Sequence, residues 1–366
     1  ADIRTAEDLR KLPVTDKQSL RARPIEDLLR AGERPERLTR LSTSGSSGAP
    51  FDVYIDARCS RRRKAQSLRP YLTNGRRFRD RALLLTGHPD RAPKWFERLG
   101  LLREQRLDCR LPLEAQLAAV NASRPQVIQG YPSALTALAA FAREERRQLH
   151  RPRLVFTDSE LLTSRDRQAI EEVWGVPPID VFGTWETGNI AYQCECRQGY
   201  HVAPDCAVLE VLADDGRPAR PGEEGRLVCT MLDNDAMPLI RYDLADIAAF
   251  ATGPCACGRS FPLLEVIAGR TNDQLRLADG RSISPEGLLA RFGVLSAIVR
   301  EYQIVQDAPE RFRVIVVPGA AFDDAAHRRI RAIFEAWRPS VEVTIEAVDR
   351  MAREPSGKRR AFRSRC

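Results

Sequence analysis

The chain has 366 residues, of which 43% are hydrophobic and 30% charged. This length exceeds what one compact core usually reaches, so we expect two domains of unequal size. The chain has no run of about 18 apolar residues that would predict a membrane-spanning helix, and residues 1–10 lack the apolar core of a signal peptide. The sequence therefore predicts a globular cytoplasmic protein without a membrane partner.

An excess of positive charge raises the question of a nucleic-acid partner. The chain carries 58 Lys and Arg against 50 Asp and Glu, a formal net charge of +8. Most arginines are interleaved with acidic residues, and the basic clusters at 61–64 and 143–153 contain no aromatic residue for base stacking. Both clusters fall in helix-like stretches, where a charge run is usually a solvated face. We therefore expect no nucleic-acid partner.

The predicted elements change in character along the chain. Residues 1–40 are predicted to form helices and a linker, followed by a small-residue loop and a strand at 51–55. Between 60 and 180 apolar strands alternate with helices, which is typical of an α/β layer with a largely parallel sheet. The strands are predicted at 82–86, 127–129, 154–157 and 179–182, and the helices at 58–72, 113–123, 133–149 and 164–174.

Two segments of different character complete the chain. Short strands separated by Gly, Pro and Asp turns predict a β-rich subdomain at about 190–260. Beyond Gly269, a hairpin, an amphipathic helix and a further strand predict a compact α+β module. The predicted fold class is therefore α/β, with a large N-terminal domain over residues 1–269 and a small α+β C-terminal domain over residues 270–366.

The first local signal of function is a loop rich in glycine and hydroxyl side chains, Thr43-Ser-Gly-Ser-Ser-Gly-Ala-Pro50. Its backbone N–H groups and hydroxyls can face phosphate oxygens, because glycine allows close approach of the backbone. The loop is not a Walker A motif, since G-x-x-x-x-G-K-[ST] is absent. Taken alone, a loop of this composition is more often a Ser/Gly-rich surface linker.

Further short motifs follow the loop in a fixed order. They are Gln129-Gly-Tyr-Pro-Ser133, Asp158-Ser-Glu160, Phe182-Gly-Thr-Trp-Glu-Thr-Gly188, Gly222-Glu-Glu-Gly225, Pro238-Leu-Ile-Arg-Tyr-Asp-Leu-Ala-Asp246, Gly269-Arg-Thr-Asn-Asp273 and Pro355-Ser-Gly-Lys358. Together with the loop, they resemble the motifs of the adenylate-forming superfamily of acyl-CoA synthetases, most closely its phenylacetate-CoA ligase-like branch. The resemblance runs across nearly the whole chain.

The resemblance implies an ATP- and Mg²⁺-dependent ligase that activates a carboxylic acid, expected to be aromatic, as its acyl-AMP with release of pyrophosphate. Activation is needed because a free carboxylate would have to expel oxide, whereas the mixed anhydride expels AMP. The transition state gathers negative charge, so it needs positioned cations and donors. CoA is the acceptor that the family suggests first, with an amine or a carrier-protein thiol as alternatives. A homodimer is compatible with the resemblance.

The resemblance also assigns roles to single residues. Glu186 would hold Mg²⁺, and Asp246 would accept hydrogen bonds from the ribose hydroxyls. Lys358, on a mobile C-terminal lid, would contact the reacting carboxylate and the α-phosphate as a point charge. The other nucleotide contacts would come from Thr43, Ser44, Gly45, Ser46, Ser47, Gly48, Ser159, Glu160, Phe182, Gly183, Thr184 and Arg270. The acyl pocket would be bordered by Tyr131, Pro132, Trp185 and Gly188.

Structural roles and departures from the pattern keep an alternative open. Glu186 could serve as a capping partner, and Tyr131 and Trp185 could be core aromatics. Ala49 stands where many relatives carry Lys, and Asn272 stands at the expected hinge, where an acidic residue or Lys is common. The stretch before the loop is also shorter than in full ligases of the branch. The alternative is a catalytically silent protein of this fold that acts as a binding or scaffold partner.

The nine cysteines are unevenly distributed. Cys194 and Cys196 form one C-x-C pair, Cys255 and Cys257 form another, and His201 lies close to the first pair. In a reducing compartment such pairs suggest metal ligation, and the set is sufficient for one tetrahedral Zn²⁺. By its register, the resemblance assigns the structural zinc to Cys194, His201, Cys255 and Cys257, with Cys196 competing for the first position.

Overall fold

The computed structural model describes residues 2–42, 51–270, 274–295, 298–354 and 356–366, and only the backbone of 266–270 and 286. The predicted phosphate loop at 43–50, the expected hinge at Asn272 and the side chain of Arg270 therefore lie outside the described residues. The chain divides into two compact units, Ala1–Gly75 with Val181–Ile267 and Arg76–Asp180 with Ala268–Cys366. The domain boundary at 269/270 stays a prediction.

Side-chain caps fix the start of several helices. Asp56 accepts a hydrogen bond from the backbone N–H of Cys59, and Asp323 accepts one from Ala326. The α-helices among the described residues are α1 (Lys17–Arg21), α2 (Ile25–Leu28), α3 (Ala57–Thr73), α4 (Trp95–Arg98), α5 (Leu113–Ser123), α6 (Pro132–Glu144), α7 (Ser164–Trp174), α8 (Glu286–Arg291) and α9 (Asp324–Trp337). Short 3₁₀ helices lie at Ala6–Lys11, Pro35–Arg37 and Phe292–Leu295. The helices predicted at 113–123 and 164–174 match α5 and α7 at both ends.

The helix predicted over 133–149 was wrong at its C-terminal end, because α6 stops at Glu144. Arg146 adopts a left-handed backbone conformation with φ 50°. Its N–H donates to the carbonyl oxygen of Arg143 at 3.2 Å, and the N–H of Arg147 donates to that of Ala142 at 2.9 Å. This Schellman arrangement satisfies the last carbonyl groups of the helix and turns the chain away.

The strands include several that the sequence pattern did not indicate. The strands are β1 (Thr39–Ser42), β2 (Asp52–Ile55), β3 (Ala82–Thr86), β4 (Glu104–Asp108), β5 (Val127–Gly130), β6 (Leu154–Asp158), β7 (Ile179–Thr184), β8 (Gly188–Gln193), β9 (Tyr200–Val202), β10 (Ala207–Leu212), β11 (Gly225–Met231), β12 (Tyr242–Phe250), β13 (Leu263–Arg270), β14 (Leu275–Arg276), β15 (Ser282–Ile283), β16 (Val299–Ala308), β17 (Arg311–Pro318), β18 (Glu342–Ala347) and β19 (Phe362–Ser364). One of these unexpected strands is β4, whose sequence Glu-Gln-Arg-Leu-Asp is mostly polar. Such a sequence suits a strand at the edge of a sheet.

The unit formed by Ala1–Gly75 and Val181–Ile267 is built on antiparallel strands. Its sheet has the order β10-β11-β12-β13-β9-β8-β7, while β1 and β2 form a separate antiparallel pair. Its core joins Val53 and Ile55 of β2 with Leu227 of β11 and Leu244 of β12. Ile190 of β8 belongs to this core, and Phe182 of β7 packs against it.

The unit formed by Arg76–Asp180 and Ala268–Cys366 contains a parallel sheet with the order β6-β5-β3-β4. The helices α5, α6 and α7 contribute apolar side chains to its core, in which Leu83 and Trp174 are fully buried. The carboxyl ends of parallel strands meet at one edge of a sheet. Gly87, Tyr131 and Ser159 follow β3, β5 and β6 at that edge.

The same unit contains a second sheet with the order β18-β17-β16-β19. The antiparallel pair of β16 and β17 matches the predicted hairpin, and α9 connects β17 to the parallel strand β18. Its core is rich in aromatic residues, with Phe292, Phe312 and Phe334 fully buried. In the described part of the chain, no helix combines the length and the apolar character needed to cross a membrane.

The aromatic core of the second sheet generates a stability prediction. The ring centroid of Phe334 lies 5.3 Å from that of Phe312 and 5.9 Å from that of Phe292. We expect Phe334→Ala to lower the free energy of unfolding by about 3–5 kcal/mol, because it leaves a cavity among these rings. Val294→Ala is the control, since Val294 is 75% exposed and its truncation should change stability by about 0.5 kcal/mol or less. Equal urea midpoints for the two variants would contradict this view of the core.

Candidate active site and metal centre

The turn between β7 and β8 is held by two threonine hydroxyls. The Oγ1 atoms of Thr184 and Thr187 lie 3.1 Å apart, and each accepts a hydrogen bond from the other residue's backbone N–H at 3.2 Å. Thr187 is almost fully buried, whereas Trp185 is exposed. The hydrogen bonds of the two threonines therefore stabilise the turn that carries Glu186.

Glu186 is fixed from two sides. The guanidinium group of Arg63, on α3, donates to the backbone carbonyl oxygens of Trp185 at 3.3 Å and of Glu186 at 2.6 Å. The hydroxyl of Tyr242 donates to Oε1 of Glu186 at 3.4 Å. The residue is 9% exposed, so its carboxylate can point in few directions. Arg63 is a positioning residue that the sequence reasoning missed, because 123 positions separate it from Glu186.

The other predicted nucleotide residues of this unit lie on two strands. Phe182 and Gly183 belong to β7 and are partly buried, and Gly188 begins β8. Asp246 lies in the middle of β12 and is buried at 6% exposure. A buried carboxylate at this position suits a precise acceptor role rather than a solvated surface.

The loop that carries Lys358 packs at the carboxyl edge of the parallel sheet. The Nζ atom of Lys358 lies 6.0 Å from the centroid of the Tyr131 ring, which is within cation–π range. The hydroxyl of Tyr131 donates to the carbonyl oxygen of Ser356 at 3.2 Å. Tyr131 is therefore a core aromatic that also contacts the loop, and Pro132 beside it begins α6.

Two glycines allow this close packing. A Cβ atom on Gly87 would lie 2.0 Å from the carbonyl oxygen of Ser356. Gly357 has a φ of 81°, and a Cβ atom there would lie 2.7 Å from Sγ of Cys109. Backbone atoms thus meet directly, which places the residue after Gly357 within reach of the sheet edge.

Glu160 connects the sheet edge to the same loop. Its Oε1 accepts from the backbone N–H of Arg359 at 2.5 Å and from the hydroxyl of Ser133 at 3.0 Å, and its Oε2 accepts from the N–H of Ser133 at 3.0 Å. Burial raises the pKa of Glu160, although these hydrogen bonds and the nearby Arg359 and Arg353 oppose the shift. Ser159, the preceding residue, is exposed and has a φ of 68°.

The predicted zinc ligands come together in the antiparallel unit. The side-chain ligand atoms of Cys194, His201, Cys255 and Cys257 all lie within 4.8 Å of one another. Sγ of Cys194 lies 3.6 Å from Sγ of Cys255, and Sγ of Cys257 lies 3.3 Å from Nε2 of His201. Zinc–sulfur bonds of about 2.3 Å in a tetrahedron place sulfur atoms about 3.8 Å apart, so the donor set fits the ion. Cys196 is exposed and outside the group, which favours Cys194 as the first ligand.

The pKa shifts of these four side chains are also compatible with metal binding. Burial and the charge of Arg259 lower the pKa of His201, so its imidazole is neutral and has a free electron pair. Burial raises the pKa of Cys194 and of Cys255. At Cys257, burial is outweighed by hydrogen bonds from Arg259, and the pKa is lowered. Two thiols that resist ionisation alone would ionise on a cation, because metal ligands bind as thiolates.

The structure therefore groups the predicted residues by unit. The antiparallel unit contains Phe182, Gly183, Thr184, Trp185, Glu186, Gly188, Asp246 and the cysteine cluster. The other unit contains Tyr131, Pro132, Ser159, Glu160 and Lys358. The loop residues Thr43 to Gly48 lie outside the described residues.

Comparison with known proteins identifies relatives that are similar in sequence. Residues 275–364 match the family model described as the CapK C-terminal domain. A phenylacetate-coenzyme A ligase of Thermus thermophilus is 32% identical over 198 residues, which cover 52% of this chain and 44% of the relative. One from Pseudomonas putida is 26% identical over 290 residues, which cover 75% of this chain and 64% of the relative. The chain thus spans less than two thirds of each of these relatives.

Solved structures share the fold. A 2-hydroxyisobutyryl-CoA ligase in its postadenylation state, in complex with R3-HIB-AMP, gives a TM-score of 0.77 at 21% identity, covering 99% of this chain and 82% of that chain. The anthranilate CoA ligase AuaEII in complex with anthranoyl-AMP gives 0.64 at 17% identity, covering 90% and 67%. The predicted α/β fold class is confirmed. The chain is similar in sequence to phenylacetate-CoA ligases and has the fold of adenylate-forming ligases, as its motifs predicted.

Proposed function

We propose that this protein uses ATP to convert a carboxylic acid into its acyl-AMP, with release of pyrophosphate. The observation that carries the proposal is the seating of the Lys358 loop at the carboxyl edge of the parallel sheet. There the ammonium group of Lys358 lies over the Tyr131 ring, and Tyr131 is hydrogen-bonded to the backbone of the same loop. A flexible basic tail would not be expected to dock its backbone so closely against Gly87 and Cys109.

The chemistry follows from the placement of charge. An oxygen of the substrate carboxylate bonds to the α-phosphorus of ATP, while the bond from that phosphorus to the pyrophosphate oxygen breaks. Negative charge gathers on the phosphoryl oxygens, and Lys358 stabilises it as a positioned cation. Asp246 accepts hydrogen bonds from the ribose and orients the nucleotide.

Glu186 is the proposed magnesium ligand. Its carboxylate is the hard oxygen donor that Mg²⁺ prefers, and the hold of Arg63 on its backbone keeps it in place. When bound, Mg²⁺ neutralises phosphate charge and so makes pyrophosphate a better leaving group. The hydroxyl groups of Thr184 and Thr187 stabilise the turn that carries Glu186.

The acid and the acceptor are proposed from the named relatives. Their activity on phenylacetate and coenzyme A supports an aromatic acid as substrate and CoA as acceptor, with an amine or a carrier-protein thiol as the alternatives. Transfer to a thiol requires Lys358 to withdraw from the acyl-AMP. We assign this movement to the C-terminal segment 270–366, acting as a lid.

The adenylation step gives the first test. We expect Lys358→Ala to reduce pyrophosphate release with ATP, Mg²⁺ and a panel of aryl and aliphatic acids at least ~100-fold, because the developing phosphoryl charge loses its cation. Lys64→Ala is the matched control, since Lys64 is an exposed lysine of α3. Mass spectrometry of the acyl-AMP identifies the acid. Equal turnover by the two variants would refute the role of Lys358, and ATP binding without turnover on any acid would favour a silent binding protein.

We also propose that Cys194, His201, Cys255 and Cys257 hold a structural zinc ion. The closed set of four ligands leaves no position for a substrate, so the ion stabilises the fold. None of the nine cysteines forms a disulfide, which supports a reducing, cytoplasmic location.

Elemental analysis tests the zinc proposal. The purified protein should contain about one zinc ion per chain, Cys194→Ser should lose most of it, and Cys196→Ser should retain it, because only the first thiol belongs to the cluster. A chelator should lower the melting temperature of the wild type. Zinc retained by Cys194→Ser, or lost equally by Cys196→Ser, would contradict this ligand set.

A further inference from the structure

The carboxylate of Glu160 is engaged by donors from two separate segments. Ser133, in the first turn of α6, provides its backbone N–H and its hydroxyl, and Arg359 provides its backbone N–H. All three bonds are 3.0 Å or shorter. Few lone pairs remain for a ligand, since each carboxylate oxygen already faces at least one donor.

The donors of Ser133 on α6 hold Glu160 independently of the Lys358 loop. The N–H of Ser133 is one of the donors that an α-helix leaves unsatisfied in its first turn. A carboxylate at this position is also favoured by the helix dipole. Two of the three bonds of Glu160 are therefore made by donors of α6, and they orient the second lone pair of Oε1 towards Arg359.

A second contact holds the loop on the other side of Lys358. The guanidinium group of Arg353 donates to the carbonyl oxygen of Gly357 at 3.2 Å and to the hydroxyl of Ser133 at 3.0 Å. Gly357 and Arg359 are the two chain neighbours of Lys358. Both are thus tied to Ser133, one through Arg353 and the other through Glu160.

Side chains of opposite charge face each other in this network. Glu301 of β16 lies 3.4 Å from the guanidinium group of Arg353 and 3.6 Å from that of Arg359. The Arg359 guanidinium also donates to the carbonyl oxygen of Tyr302 at 3.1 Å. Arg359 also feels the negative charges of Asp166 and Glu160, and its backbone N–H is left to Glu160.

We propose that Glu160 is a positioning residue for Lys358 in the adenylation step. Its carboxylate holds the backbone N–H of Arg359, the residue that follows Lys358. The ammonium group of Lys358 is thereby kept at the Tyr131 ring. This inference rests on the proposed function. It assigns the Glu160 carboxylate to the protein's own backbone, whereas the family resemblance implied a contact with the nucleotide.

Kinetics of the two half-reactions distinguish these roles. In Glu160→Gln, one oxygen becomes an amide nitrogen that donates rather than accepts, so the two donors of Ser133 and the N–H of Arg359 can no longer all be satisfied. We expect the kcat for pyrophosphate release to fall about 100-fold, because Lys358 is no longer held in register, with little change in the KM for ATP. Transfer to CoA from added acyl-AMP should keep its wild-type rate. Glu171→Gln, an exposed glutamate of α7, is the matched control. A raised KM for ATP with unchanged kcat, or equal slowing of both half-reactions, would overturn the proposal.

Hydrogen exchange tests the anchor without any turnover. The amide of Arg359 should exchange faster in Glu160→Ala than in the wild type, while Glu171→Ala should leave it protected. Wild-type protection in Glu160→Ala would overturn the proposal whatever the activity. If the wild type itself forms no acyl-AMP with any acid, the proposed function fails, and the exchange result still decides whether Glu160 anchors the loop.

Discussion

The absence of a side chain at Gly87 is the constraint on which the placement of Lys358 depends. The carbonyl oxygen of Ser356 occupies the space that a Cβ atom would need, so the loop meets the backbone after β3 directly. Only at this distance does the same carbonyl reach the hydroxyl of Tyr131, and only then does Lys358 come over the ring. The parallel sheet thus supplies a surface of backbone and one aromatic, and the loop supplies the charge.

Buried ion pairs around the loop define its geometry more than they add stability. Glu160, Glu301, Arg353 and Arg359 lie in contact with one another or with shared partners, and taking such charges out of water is costly. The cost is tolerated where each charged group has its own acceptor or donor. A network of this kind has few alternative arrangements, as the role proposed for the Lys358 loop requires. Arg63 serves Glu186 in the same way, by holding backbone carbonyls and leaving the side chain to the ligand.

Much of this protein could be predicted from local pattern. The strand at 82–86 and the helices at 113–123 and 164–174 were placed correctly because apolar periodicity and capping residues are local signals. The polar edge strand β4 and the end of α6 at Glu144 were not predicted, since both depend on neighbours in space. Among candidate site residues, Lys358 and Glu186 were found through short motifs. Arg63 and Arg353 were not, because each acts on backbone atoms, and a contact to a carbonyl oxygen leaves no pattern in the partner's sequence.

The uneven division of bonds at Glu160 has a consequence for reversibility. In the withdrawal proposed for the Lys358 loop, the carboxylate would lose the Arg359 amide but keep both donors of Ser133. No buried charge is stranded, and α6 keeps its N-terminal cap. At Glu160 this withdrawal breaks one hydrogen bond, and the lone pair of Oε1 that it frees stays aimed at the place to which the amide must return. The Glu160 carboxylate would thus stay oriented after the loop leaves. Repeated docking and release would then not require the sheet edge to reorganise each time.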